Sequence, residues 1–152
     1  MIKDLREIPL VVREDDRGYL IEIARLFPDP EPHGVIHKFG QVYLVESRRG
    51  VIRAFHKHEK VWDFFFICQG AAKFIFKDDR PESPTYRKEV VLIASSRNPK
   101  LIVVPPGVWH GWLALEDNTL LISIASEKYN RERPDEERIT PKAFGSWEIE
   151  AR

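Results

Sequence analysis

The chain has 152 residues, with 24 Lys and Arg against 24 Asp and Glu, a formal net charge of zero and an isoelectric point near 7.0. That length suits one domain, the 43% hydrophobic content can fill one core, and the interleaved charges exclude a polyelectrolyte that holds bulk nucleic acid by neutralising phosphate. No run approaches the roughly 18 to 20 apolar residues that span a bilayer, and the start, MIKDLREIPL, lacks a signal peptide's basic and apolar regions; a cytoplasmic protein without membrane or nucleic-acid partners is expected.

In chain order the sequence predicts short strands at LVV (10–12), YLIEI (19–23), QVYLV (41–45), VIRAF (51–55), VWDFFFIC (61–68), AKFIF (72–76), EVVLIA (89–94), LIVV (101–104), GWLAL (111–115) and TLLISIA (119–125). Turn signals separate them: DDRG, PDPEPHG, SRRG, KDDRPESP, SSRNP, PPG and EDN. Short strands at near-regular spacing, with no amphipathic helical pattern before residue 127, predict an all-β barrel or sandwich in one domain. A helical turn is expected near PDEER at 134–138, inside a charged stretch, EKYNRERPDEER, that reads as a solvated tail. Cys68, the only cysteine, excludes an intrachain disulfide and reads as a buried inert thiol in FFFICQG.

The chemistry concentrates in two places. In Gly50-VIRAF-His56-Lys57-His58-EKVW-Asp63-FFFICQ-Gly70, histidines at i and i+2 of an extended strand face one way, so His56 and His58 can address one centre. Asp63 stands among aromatic residues, where a carboxylate needs a cation or strong donors. The rigid PPG turn at 105–107 then delivers His110 at the start of a strand. Arg53 lies on the strand of His56 but at odd spacing, so sharing one pocket requires a twist or bulge. His33 and His37 fit no motif and read as loop residues.

These two segments resemble the two motifs of the cupin superfamily: G-x5-H-x-H, then an acid (here Asp63), then G, and P-x-G-x-x-H, met by Pro105, Gly107 and His110. The resemblance implies a cupin-type double-stranded β-helix, a jelly-roll barrel over about 37–126. It also implies a possible divalent metal (Zn, Fe, Mn or Ni) on His56, His58, Asp63 and His110.

A narrower resemblance runs from about residue 13 to 130. Asp15, Arg17, Gly18 and Glu22, then Gln41, Ser47, Gly50, Val51, Arg53 and His56, then PPGVWHGWLAL and Tyr129 are similar to blocks of the dTDP-4-dehydrorhamnose 3,5-epimerase family. It implies an isomerase that takes protons from beside the keto group of a 4-keto-6-deoxy sugar nucleotide, with no cofactor required. His56 is then the base, Tyr129 a further catalytic candidate, and Arg17, Glu22, Gln41 and Arg53 substrate-binding. The His56-Lys57-His58 pair also resembles related sugar-nucleotide 3,4-ketoisomerases, in which both histidines transfer protons, so His58 is a catalytic candidate too. A homodimer is implied too, with the segment from about 10 to 25 exchanged between subunits and Arg17 lent to the partner's site.

The sequence also departs from that family. Asp63 takes the place of a lysine, Ser123 that of a catalytic tyrosine and Tyr43 that of an asparagine, and the tail, 127–152, is short enough to predict loss of the acidic partner of the base. Two alternatives follow: a metal-dependent cupin of another class, such as a dioxygenase or small-molecule isomerase, or a non-catalytic sugar-binding cupin.

Overall fold

The alternation of side chains along β6 (Asp63–Gln69) sets the layout. Asp63, Phe65 and Ile67 face the inside of a barrel, while Phe64 and Phe66 face the other way into a second apolar cluster. β6 therefore reads as a continuous apolar run because both of its faces are covered.

The computed structural model describes residues 1–25 and 37–149. They form β1 (Arg6–Pro9), β2 (Val12–Asp15), β3 (Gly18–Ile21), β4 (Gln41–Ser47), β5 (Ile52–Lys57), β6, β7 (Ala71–Asp78), β8 (Glu89–Ser95), β9 (Lys100–Val104), β10 (Val108–Ala114), β11 (Thr119–Ala125) and β12 (Glu137–Arg138). Two five-stranded antiparallel sheets, ordered β1-β9-β6-β11-β4 and β12-β5-β10-β7-β8, pack face to face as a jelly roll. The fold is the all-β cupin-type barrel that the sequence predicts.

Three clusters hold it. Between the sheets lie Phe65, Ile67, Phe74, Phe76, Ile102, Val104, Trp112 and Leu121. Outside the first sheet, Phe64, Phe66, Leu101 and Val103 pack under Ile8, Leu10 and Ile23. Outside the second, Phe55, Ile75 and Trp109 are covered by Ile139, Phe144 and Trp147 of the C-terminal segment.

Several expectations change. β1 was not legible because Arg6, Glu7 and Pro9 break any strand pattern; it joins as an edge strand on β9, where proline is tolerated. His110 is the third residue of β10 rather than its start. The PDEER turn is not a helix: Glu137 and Arg138 pair with Lys57 and His56, so the segment continues the second sheet instead of trailing into solvent. Cys68 is half-buried, and burial pushes its thiol pKa up.

Candidate active site

One end of the space between the sheets is a cavity of about 850 Å3, walled by β5 and β10 on one side and by β4, β6 and β11 on the other. His56 and Arg53 both line it despite their odd spacing, because the β5–β10 ladder is irregular there. His110 pairs with His56 and Trp112 with Arg53, so β5 spends two intervening residues where β10 spends one. Gly111 makes the bulge possible: a Cβ on it would lie 2.3 Å from the Ala54 Cβ.

His56 Nδ1 lies 3.1 Å from Glu136 Oε1, in the segment that leads into β12. That contact leaves Nε2 as the nitrogen for a proton in the cavity. Burial lowers the His56 pKa, and the Glu136 carboxylate partly opposes this.

Three of the four residues nominated as metal ligands converge. Donor atoms of His58, Asp63 and His110 lie within 4.8 Å of one another, whereas His56 is not part of that group and turns to Glu136. His58 Nε2 is 3.3 Å and His110 Nε2 3.6 Å from Asp63 Oδ2, which is buried and makes no hydrogen bond among the described residues. The other nitrogens of both rings face backbone carbonyls: His58 Nδ1 that of Asp135, and His110 Nδ1 that of Val108 at 3.1 Å.

Burial acts to lower the His58 pKa, but the Asp63 carboxylate and the Asp135 carbonyl outweigh it and push the value up to about 9. Burial pulls that of His110 down to about 4. The wall therefore offers a neutral His110 and a cationic His58 beside one carboxylate.

The tail holds this arrangement together. The Asp135 carboxylate accepts the backbone N–H groups of Glu59, Lys60 and Val61 at 2.7, 2.9 and 3.1 Å, pinning the turn that follows His58. Opposite, Gln41 Oε1 accepts the Tyr129 N–H at 3.0 Å while its Nε2 donates to the Tyr43 hydroxyl at 2.6 Å.

The family profile of dTDP-4-dehydrorhamnose 3,5-epimerase matches residues 1–146. The chain belongs to that family. The spore coat polysaccharide biosynthesis protein SpsL of Bacillus subtilis is 35% identical over 140 residues, covering 91% of this chain and 89% of that protein. The probable low-salt glycan biosynthesis epimerase Agl13 of Haloferax volcanii is 33% identical, covering 91% and 87%. A solved dTDP-4-dehydrorhamnose 3,5-epimerase from Bacillus anthracis, with TDP and PPi bound, superposes with a TM-score of 0.80 at 26% identity, covering 91% and 80%.

Against the dTDP-4-dehydrorhamnose 3,5-epimerase pattern, the cavity gathers Gln41, Arg53, His56, His58, Asp63, His110, Ser123 and Tyr129. Arg53 Nε donates to Ser47 Oγ at 2.8 Å, which holds its stem against the wall. Tyr129 is at the rim and exposed. Arg17 and Glu22 are elsewhere: Arg17 pairs with Asp15 in the exposed β2–β3 hairpin, and Glu22 accepts from Arg25 Nε at 2.6 Å beside a smaller pocket. His37 sits edge-on to Trp62 outside the cavity, and His33 lies outside the described residues.

Sequence reading missed Glu136 and Asp135. The expected loss of an acidic residue beside His56 is corrected: Glu136 lies against its ring. Its signal was present in PDEER, but an acidic run most often means a solvated face, and only the pairing of β12 with β5 turns it inward.

Proposed function

We propose that this epimerase acts on a 4-keto-6-deoxy sugar carried by a nucleoside diphosphate, with His56 as the base. The observation that carries the reading is the His56–Glu136 pair on the cavity wall, a base with its orienting carboxylate already in contact. Hydrogens beside a ketone are acidic because the electron pair left behind delocalises onto the carbonyl oxygen. Nε2 of His56 takes the proton as the C–H bond breaks, the pair forms an enolate, and the carbonyl re-forms when a proton returns to the carbon. The cationic His58 on the same wall places positive charge near the developing enolate, the part a lysine would play. No cofactor is needed for this chemistry. Arg53, Lys60, Lys128 and Arg133 line the cavity with the charge that a diphosphate requires.

Incubation with dTDP-4-keto-6-deoxyglucose in deuterium oxide tests the reading. Deuterium should enter at C3 or C5, and His56→Ala should abolish that entry; absence of exchange in the unaltered protein would falsify the assignment.

A second reading rests on Asp63 Oδ2, which makes no hydrogen bond among the described residues and has ring nitrogens of His58 and His110 at 3.3 and 3.6 Å. Two ring nitrogens and a carboxylate oxygen, with both rings steadied through backbone carbonyls, suit a divalent Zn, Fe, Mn or Ni ion. Such an ion would replace the His58 proton as the positive charge beside Asp63, leaving His56 free as base. Elemental analysis of protein grown with added metal should then find close to one ion per chain, lost in Asp63→Leu; no bound ion rejects the reading.

A homodimer fits the exposed apolar faces. Among the described residues the β2–β3 hairpin pairs with no other strand and exposes Tyr19 and Leu20, and edge strand β4 exposes Val42 and Leu44. A hairpin crossing to a second subunit would carry Arg17 toward the partner's cavity.

A further inference from the structure

Inverting a carbon centre requires the proton to leave from one face and return to the other. His56, fixed on β5 by Glu136, reaches one face of a sugar lying between the sheets, so a second proton-transfer group must stand on the opposite wall. Among the described residues that line the cavity from that wall, β4 contributes Gln41, Tyr43 and Val45, β11 contributes Leu121, Ser123 and Ala125, and β6 contributes Asp63 and Phe65. Asp63 forms an ion pair with His58 at 3.3 Å, and a serine hydroxyl is a far weaker acid than a phenol and so the poorer proton donor to an enolate. One phenol remains.

Resting on the epimerase reading above, we propose that Tyr43 is the catalytic acid that delivers the proton opposite His56. Its place supports this. Ser123 and Tyr43 are directly paired across the β4–β11 ladder, so their Cβ atoms are neighbours about 5 Å apart and a phenol rooted at either reaches the same part of the cavity. The phenol that Ser123 lacks is thus supplied one strand further toward the edge.

Its hydrogen bonding supports it as well. A backbone N–H can only donate, so the Tyr129 N–H fixes the Gln41 amide with Oε1 as acceptor, and Nε2 must be the donor to the Tyr43 oxygen. Tyr43 accepts in that bond, which leaves its own hydrogen for an acceptor in the cavity and keeps a donor on the oxygen after the proton has gone. Tyr129 sits in the tail at the rim and contributes through its backbone, as the group that orients Gln41. The step balances: the Tyr43 O–H bond breaks with its pair kept on the oxygen as phenolate, and the enolate pair forms the new C–H bond on the face opposite the one His56 deprotonated. An oxygen lone pair re-forms the C=O bond, and proton exchange with solvent resets His56 and Tyr43.

Tyr43→Phe tested with dTDP-4-keto-6-deoxyglucose in deuterium oxide separates the outcomes. Proton removal and return on the His56 face should persist, so deuterium exchange should stay within a few-fold of the unaltered protein, while the inverted product, read by NMR coupling constants, should fall by roughly 100-fold or more. Retained exchange also shows that the variant is folded. Inversion at the original rate, or loss of exchange together with inversion, overturns the role of Tyr43. Absence of exchange in the unaltered protein instead rejects the epimerase reading on which it rests.

Discussion

His56 and Glu136 are separated by 80 residues in the chain, yet Nδ1 and Oε1 stand 3.1 Å apart because β12 pairs with β5 and lays the tail across the cavity. The carboxylate holds the ring through Nδ1 and leaves Nε2 for the cavity. Glu136→Gln should lower kcat by roughly 10- to 100-fold with KM little changed, since the amide holds the ring less well and does not stabilise imidazolium. Steady-state kinetics check this, and an unchanged kcat would remove Glu136 from the mechanism.

Gly111 allows the β5 bulge that turns Arg53 and His56 into one pocket. A Cβ there would meet Ala54 Cβ at 2.3 Å and Ala54 Cα at 2.8 Å, so backbone must shift. Gly111→Ala should cost about 1 to 3 kcal/mol in chemical denaturation. It should also weaken nucleotide binding beyond what the stability loss explains, because Arg53 moves with the strand.

Asp78, at the end of β7, is buried and accepts from Arg80 Nε at 2.8 Å and from Ser83 Oγ and Thr85 Oγ1 at 2.6 Å each. Burial acts to raise its pKa, but these donors outweigh it and hold the carboxyl well below the usual range. The folded value lies below the unfolded one near 3.9, so the stabilisation is complete above about pH 5 and lost as pH falls below that. Asp78→Ala should cost about 2 to 3 kcal/mol at pH 7, less than a pair with both partners buried, because Arg80 stays partly in water. The difference from the unaltered protein should shrink between about pH 5 and pH 3, and a constant difference would count against the charged pair.

The exposed Tyr19, Leu20, Val42 and Leu44 predict self-association. Leu44→Lys with Leu20→Lys should shift the mass in light scattering from dimer to monomer while the circular dichroism spectrum stays that of a β protein. If Arg17 serves the partner's cavity, Arg17→Ala should raise KM in the dimer without altering its mass.

Strand periodicity, turn chemistry and two histidine motifs were enough to read the all-β class and four members of the cavity: His56, Asp63 and His110 on strands, and His58 just past the end of β5. These are legible because period-2 alternation assigns a face to each residue before any tertiary contact is known. The sequence also required a bulge for Arg53 to join His56. What the tertiary structure alone decided is which distant segments close over that face. The acidic run at 134–138 looks identical in sequence whether it is solvated or turned inward, and it becomes the partner of His56 only through a two-residue ladder with β5. Tyr43 likewise looks like a departure from the family block until the β4–β11 register sets it opposite Ser123. Local pattern fixes the direction of a side chain; long-range pairing decides what it meets.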